Sequence, residues 1–208
     1  MVVEISGSAG ENWINYCKQV YDNGSIFHDE DEKIRELFDV FLIFKSFDTN
    51  DTIFEKYADK HIIEIYRKKM VSTEIIPELN SSYGKRLYDQ LGVNQVDWLI
   101  NKIRKKPETK SATISLLLPN DPGPRIPCLS VVDFKIRDNL LNLNCFFRSQ
   151  NVARAYGNFI GVHDLHQKVS DETGYKLGTM KFFVSSAHIY EKDIPKVYEL
   201  LKNNFNNY

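Results

Sequence analysis

Cys128 stands where a residue can do chemistry. It follows Pro127, opens a predicted strand and comes after a turn-rich loop over 120–127 (NDPGPRIP). A thiol at a strand mouth is open to a substrate, and an arginine beside it favours the nucleophilic thiolate. The alternative is a small buried core residue, the usual lot of a free cysteine; that reading is the one for Cys17 and Cys145. Further on, Arg148 and Ser149 end another predicted strand. A guanidinium matches phosphate oxygens with paired N–H donors, so the two side chains suit an anionic group; the plainer alternative is a surface arginine at a strand end. Asn158 lies at a predicted helix start, where its amide can read the polar edge of a base or simply cap the helix. His188 and Tyr190 sit two apart in a predicted strand, hence on one face, where they can hold a sugar hydroxyl or a phosphate, or serve the structure alone. His163 and His166, three apart on a predicted helix, lack a neighbouring Cys or Glu signature, so no metal site is expected. The basic run over 102–106 fits a solvated helix end favoured by the helix dipole.

These side chains need a frame. Helical spacing of apolar residues predicts helices over 11–20, 31–41 (Ile34, Leu37, Phe38, Phe41), 53–70, 94–106, 158–173 and 193–205, with Gly174 as a C-terminal cap. The run over 40–44 (VFLIF) reads as a buried strand or as the end of the second helix, and 79–83 as a loop. Strands are expected over 112–118, 128–136, 140–148 and 179–189, the middle two joined by a tight hairpin at Arg137-Asp138-Asn139. A helical first half and a strand-rich second half predict an α+β fold with a largely antiparallel or mixed sheet; the Rossmann glycine fingerprint is missing.

The chain has 208 residues, 42% of them hydrophobic and 26% charged. That suffices for one domain over 1–208 with a sizeable core, and disorder as a class is excluded. Lys+Arg 27 against Asp+Glu 28 leaves no basic excess, so no nucleic-acid partner is expected. No apolar run approaches the roughly 18 residues of a membrane span, and the N-terminus lacks a basic start followed by an apolar stretch, so neither a membrane nor a secretory route is expected. Three cysteines at unrelated spacings make neither a disulfide framework nor a zinc site, which predicts a reducing, cytoplasmic setting. The Asn-rich stretch over 203–207 reads as a frayed end.

Several segments recur in a telling order: Ile126-Pro127-Cys128, Asp133-Phe134, Phe147-Arg148-Ser149-Gln150-Asn151, Asn158, and Ser186-Ala187-His188-Ile189-Tyr190-Glu191. In that order they resemble the thymidylate synthase superfamily, most of all its short archaeal-type branch. Upstream, Tyr83-Gly84-Lys85-Arg86, Gln95-Val96-Asp97 and Lys106-Pro107-Glu108-Thr109-Lys110 are similar to that family's Tyr-Gly segment and to its helix leading to a phosphate-binding arginine pair. The resemblance is strongest over 83–193. It implies a thymidylate synthase-like fold and a homodimer whose sheets pack face to face. It implies a pyrimidine nucleoside monophosphate as substrate and 5,10-methylenetetrahydrofolate as one-carbon donor. It implies Cys128 as the nucleophile that adds to C6 of the ring, Arg148 and Ser149 as phosphate ligands, Asn158 as the base reader, and His188 with Tyr190 on the sugar 3′-hydroxyl. Tyr83 matches a tyrosine implicated in removing the C5 proton, and Glu36, in Arg35-Glu36-Leu37, matches the family's catalytic glutamate.

The departures from the pattern are as informative. The arginine pair that the other subunit contributes reads Lys110-Ser111, one charge lost and one changed from a fork to a point charge. The folate-contacting aspartate is Asn151, the histidine after the nucleophile is Leu129, and the tryptophan lining the folate site, the N-terminal arginine loop and the closing C-terminal segment are not evident. Nucleotide-side residues mostly persist and folate-side residues mostly do not. Three readings follow: folate-dependent C5 methylation of a pyrimidine nucleotide, most simply deoxyuridylate; 5-hydroxymethylation of a cytidine nucleotide; or nucleotide binding without folate chemistry.

Overall fold

The computed structural model describes residues 2–3, 7–29, 31–79, 81–119, 121 and 126–208. Most of the predicted loop over 120–127 lies outside them. Among the described residues seven strands form one mixed sheet: β1 (Val2–Val3), β2 (Ser25–Asp29), β3 (Glu32–Phe44), β4 (Thr113–Ser115), β5 (Leu129–Arg137), β6 (Leu140–Asn151) and β7 (Lys176–Tyr190). Their order is β1-β3-β7-β6-β5-β4, with β2 paired to β3. The β1–β3 and β6–β7 pairs are parallel and the others antiparallel. Helices α1 (Ala9–Asn23), α2 (Thr52–Tyr57), α3 (Lys60–Val71), α4 (Gly84–Tyr88), α5 (Gln95–Lys105), α6 (Ala155–Thr173) and α7 (Ile194–Lys202) complete the α+β architecture. None of them is long and apolar enough to cross a membrane.

Alternation along the strands decides which face is the core. Val40, Leu42 and Phe44 of β3, Phe182 and Val184 of β7, Leu143, Cys145 and Phe147 of β6 and Val132 and Phe134 of β5 are all buried with the helices. Phe44, Phe159 of α6 and Phe182 pack with ring centroids 5.0–5.5 Å apart, the tilted and edge-on geometry that aromatic quadrupoles favour. The opposite face is only partly covered. There Phe41, Phe183 and Phe146 form an aromatic row across three strands, with centroids 5.7 and 5.4 Å apart.

The β5–β6 hairpin turns at Asp138 and Asn139, both with positive φ (54° and 59°), the type I′ geometry whose twist suits antiparallel strands. α6 ends at Gly174 (φ 77°), a left-handed cap that favours glycine.

Four expectations need correction. Residues 31–41 are strand, not helix: β3 pairs with β2 on one side and β7 on the other. Both of its faces carry apolar residues, Leu37, Val40 and Leu42 against the core and Phe41 on the opposite face, and that double set mimics helical spacing. The helix predicted over 53–70 breaks at Ala58-Asp59, because the Asp59 carboxylate accepts from the His61 and Ile62 N–H groups and starts a new helix. The strand predicted over 112–118 pairs only over β4. Asn158 is inside α6 rather than at its start, since the helix begins at Ala155 after a 3₁₀ turn (Val152–Arg154) capped by Asn151.

Candidate active site

The parallel pair β6–β7 ends where antiparallel β3 and β5 begin, so four strand ends meet at one edge of the sheet. Cys128 immediately precedes β5. The Arg148 N–H donates to the Cys128 carbonyl at 2.9 Å, which fixes the thiol against the end of β6. From there Ser149 Oγ lies 3.5 Å and Arg148 Nη2 4.0 Å from Cys128 Sγ. Cys128 is partly exposed, whereas Cys17 and Cys145 are buried. Burial pushes both of those thiols far above their ordinary range, which leaves them inert at neutral pH.

The Arg148 guanidinium is held in place by the chain before the thiol. Its Nε and Nη2 donate to the Ile126 carbonyl at 3.3 and 2.7 Å. Tyr83 approaches from the other side, where its buried hydroxyl accepts the Leu129 N–H at 3.4 Å. Tyr83 is hung from α3: its own N–H donates to the Lys69 carbonyl at 2.9 Å. Gly84, next in the chain, crosses α3 so closely that a Cβ would stand 2.3 Å from the Ser72 carbonyl oxygen, so the Tyr-Gly pair is a packing requirement.

Arg148 and Ser149 also line a cleft of about 870 Å³ together with Glu36, Ser186, His188 and Tyr190. Register explains the grouping. Glu36 is opposite His188 across β3–β7, and Ser149 is opposite Ser186 across β6–β7, so their side chains share a face. The Ser186 hydroxyl donates to Glu36 Oε1. The His188 and Tyr190 rings meet edge to face at 4.9 Å. Burial lowers the His188 pKa, opposed by the Ser186 carbonyl and the Glu36 carboxylate, which favours the uncharged imidazole. Its Nδ1 has no hydrogen-bond partner among the described residues, and neither does Asn158 Oδ1.

The remaining predicted residues are placed differently. Asn151 is fully engaged: its Nδ2 donates to Asp193 at 2.7 Å and its Oδ1 caps the Ala153 N–H at 3.0 Å. Lys110 is exposed and precedes Ala112, whose carbonyl accepts the Phe134 N–H, so it lies toward the Arg137 end of β5 and away from Cys128 of the same chain. The β2–β3 side of the cleft carries Asp29, Asp31 and Glu32, leaving Arg148 as the one guanidinium among its described lining residues. No group of three or more potential metal ligands occurs among the described residues. His166 is buried with Nε2 on the Leu141 carbonyl at 2.7 Å, and His163 stacks on Phe47.

Sequence reasoning missed Ser186 and Lys69. Ser186 shares the parity of His188 along β7, a signal that was available. Lys69 ends the run Arg67-Lys68-Lys69, which reads as a solvated face, although the side chain is buried.

The Asn151–Asp193 contact makes a direct prediction. Asn151→Asp puts two carboxylates at 2.7 Å in place of a donor and an acceptor. A loss of about 1–3 kcal/mol in urea unfolding is expected, recovered when Asp193→Asn is added and the pair is reversed.

A thiol, a guanidinium and a buried histidine thus come together where the ends of β5, β6 and β7 meet. The thymidylate synthase family pattern matches residues 26–208, and the chain belongs to that family. Among its relatives, a protein of Methanosarcina barkeri named "Putative thymidylate synthase" is 31% identical over 195 residues, covering 91% of this chain and 90% of that one. Proteins of the same name from Methanococcoides burtonii and Methanosarcina mazei are 29% and 28% identical over the same shares.

Proposed function

We propose that the protein is a single-domain cytoplasmic enzyme of C5 one-carbon transfer to a pyrimidine nucleoside monophosphate, most simply deoxyuridylate. The carrying observation is Cys128 Sγ within 4.0 Å of Arg148 and Ser149, both lining the polar cleft. The thiolate adds to C6 of the ring, and the displaced electron pair makes C5 nucleophilic. C5 then takes up an electrophile, the original C5 proton is lost to a base, and elimination of the thiolate restores the ring double bond. Arg148 and Ser149 bind the phosphate. His188 and Tyr190 hold the sugar, and the unpartnered His188 Nδ1 is a site for its hydroxyl. The unpartnered amide oxygen of Asn158 is the matching site for a base N–H. Glu36, poised by Ser186, and Tyr83 serve the proton steps at C5 and the ring carbonyl.

The second subunit completes the phosphate site in this reading. The aromatic row Phe41, Phe183 and Phe146 is the face on which two sheets stack, and Lys110, remote from its own thiol, reaches the partner's nucleotide. The family's donor, methylenetetrahydrofolate, supplies a one-carbon unit when bound. The residues here do not fit its ring as the family's aspartate does, because both ends of the Asn151 amide are taken by Asp193 and the 3₁₀ turn. The donor's binding side therefore differs from the family pattern, and no step is assigned to it. That mismatch also supports a second reading, nucleotide binding or hydroxymethylation with altered donor contacts.

The test is release of tritium from C5 of labelled deoxyuridylate, deoxycytidylate and cytidylate, each with and without methylenetetrahydrofolate. Release from one nucleotide supports the adduct and names the base. Release from none, with nucleotide still bound, supports the binding-protein reading. Arg148→Ala is expected to weaken nucleotide binding about 10- to 100-fold by calorimetry, the worth of a charge-assisted contact; unchanged affinity removes it from the phosphate site.

A further inference from the structure

Lys69, near the end of α3, is 7% exposed. Its Nζ lies 4.0 Å from the Tyr83 ring centroid and 5.4 Å from that of Tyr66. Among the described residues no carboxylate is paired with it. A buried ammonium without a counter-charge is costly, and two aromatic faces offset only part of that cost. A negative group beside it would offset the rest.

The geometry points to Cys128. Tyr83 lies between the two: one face of its ring carries the Lys69 ammonium, and its hydroxyl accepts the N–H of Leu129, the residue next to the thiol. We propose that Lys69 is the buried counter-charge of the Cys128 thiolate, a positioning residue that sets the nucleophilicity of the thiol from within the core. Arg148 cannot fill this role through the reaction cycle. It is exposed, and a bound phosphate draws on the same guanidinium. Lys69 is out of reach of solvent, so its charge survives nucleotide binding.

Burial brings the Lys69 ammonium down to about 8, and the charge on Cys128 acts the other way. The rings that face it are those of Tyr66, on its own helix, and Tyr83. Arg148 and Cys128 both act on Tyr83, while Cys128, Arg154, Tyr156 and Asp193 act on Tyr66. The proposal rests on Cys128 being a functional nucleophile, and its test needs no turnover.

The test is alkylation of Cys128 by iodoacetamide across pH 5–9, read by mass spectrometry of the Cys128 peptide so that Cys17 and Cys145 do not contribute. In Lys69→Met alkylation at pH 7 is expected to be about tenfold slower; Lys69→Arg should keep the original rate. Lys69→Met removes a buried charge and is expected to melt at a higher temperature, so slow alkylation cannot be blamed on misfolding. A reciprocal measurement leaves Lys69 in place. By linkage, Cys128→Ser must lower the titration midpoint of Lys69, followed by NMR of the ¹³C-labelled lysine. An unchanged alkylation rate in Lys69→Met, or a Lys69 midpoint indifferent to Cys128→Ser, overturns the proposal. Slowed alkylation and a shifted Lys69 midpoint without tritium release from any nucleotide leave it standing and defeat the nucleotide reading instead.

Discussion

Cys128→Ala is expected to abolish C5 tritium release, a loss of at least about 10⁴-fold, while nucleotide binding stays near its original strength. The reason lies in what the side chain touches. Cys128 Sγ contacts Arg148 Nη2 and Ser149 Oγ, and both of those groups keep their remaining anchors without it. The Ile126 carbonyl still holds the guanidinium, and the β6–β7 register still holds Ser149 opposite Ser186. The side chain is partly exposed, so its truncation leaves little cavity and the fold should lose under about 1 kcal/mol. Chemistry and stability separate cleanly at this position. Cys145→Ala should do the reverse, because that thiol is buried in the sheet core and faces no cleft. Survival of tritium release in Cys128→Ala would remove the thiol from the mechanism.

The second large effect is on stability in acid. Folding is expected to lose about 3 kcal/mol between pH 7 and pH 4 through His166 alone. Burial among apolar residues lowers its pKa to about 4, with the Leu141 carbonyl acting weakly in the other direction. The unfolded chain takes up this proton near pH 6.5 and the folded protein only near 4, so between those values the unfolded state binds more protons. Stability therefore falls as pH falls through that window and is fully present above it. His166→Gln retains a donor for the Leu141 carbonyl and cannot titrate. Urea titrations of the two proteins at pH 7 and pH 4.5 should diverge, the original losing more than the variant. Parallel losses would mean that His166 does not govern the acid limb.

The site was legible in the sequence where it depends on local order along a strand, and opaque where it depends on which elements lie side by side. The β5–β6 hairpin, the left-handed cap at Gly174 and helix α5 follow from turn chemistry and a single apolar stripe, and they form where expected. So does the pairing of Cys128 with Arg148, which needs only that the hairpin close in register. β3 misled because a strand flanked on both edges carries apolar residues at both parities. Glu36 was consequently expected on a helix, yet it reaches the cleft as the cross-strand neighbour of His188. Asn151 was identified as a departure, but its cause was hidden: Asp193, 42 residues on, supplies the carboxylate against which an amide is the complementary partner. Lys69 was invisible because a buried lysine and a solvated one leave the same trace in a linear sequence.

The placement of β3 has a consequence for the protein's birth. Its long partner β7 is made after some 140 further residues, since Phe44 pairs with Met180. At roughly 5–20 residues per second, β3 waits about 10–30 s on the ribosome for that partner. Meanwhile it has only a five-residue strand and a two-residue strand beside it, and its Val-Phe-Leu-Ile-Phe run is open to any passing chain. The acidic residues at its start, Glu32 and Glu36, and Asp39 at its centre then act as a charge barrier to aggregation during synthesis. Two of these carboxylates, Glu32 and Glu36, line the finished cleft and would thus first keep the nascent chain soluble.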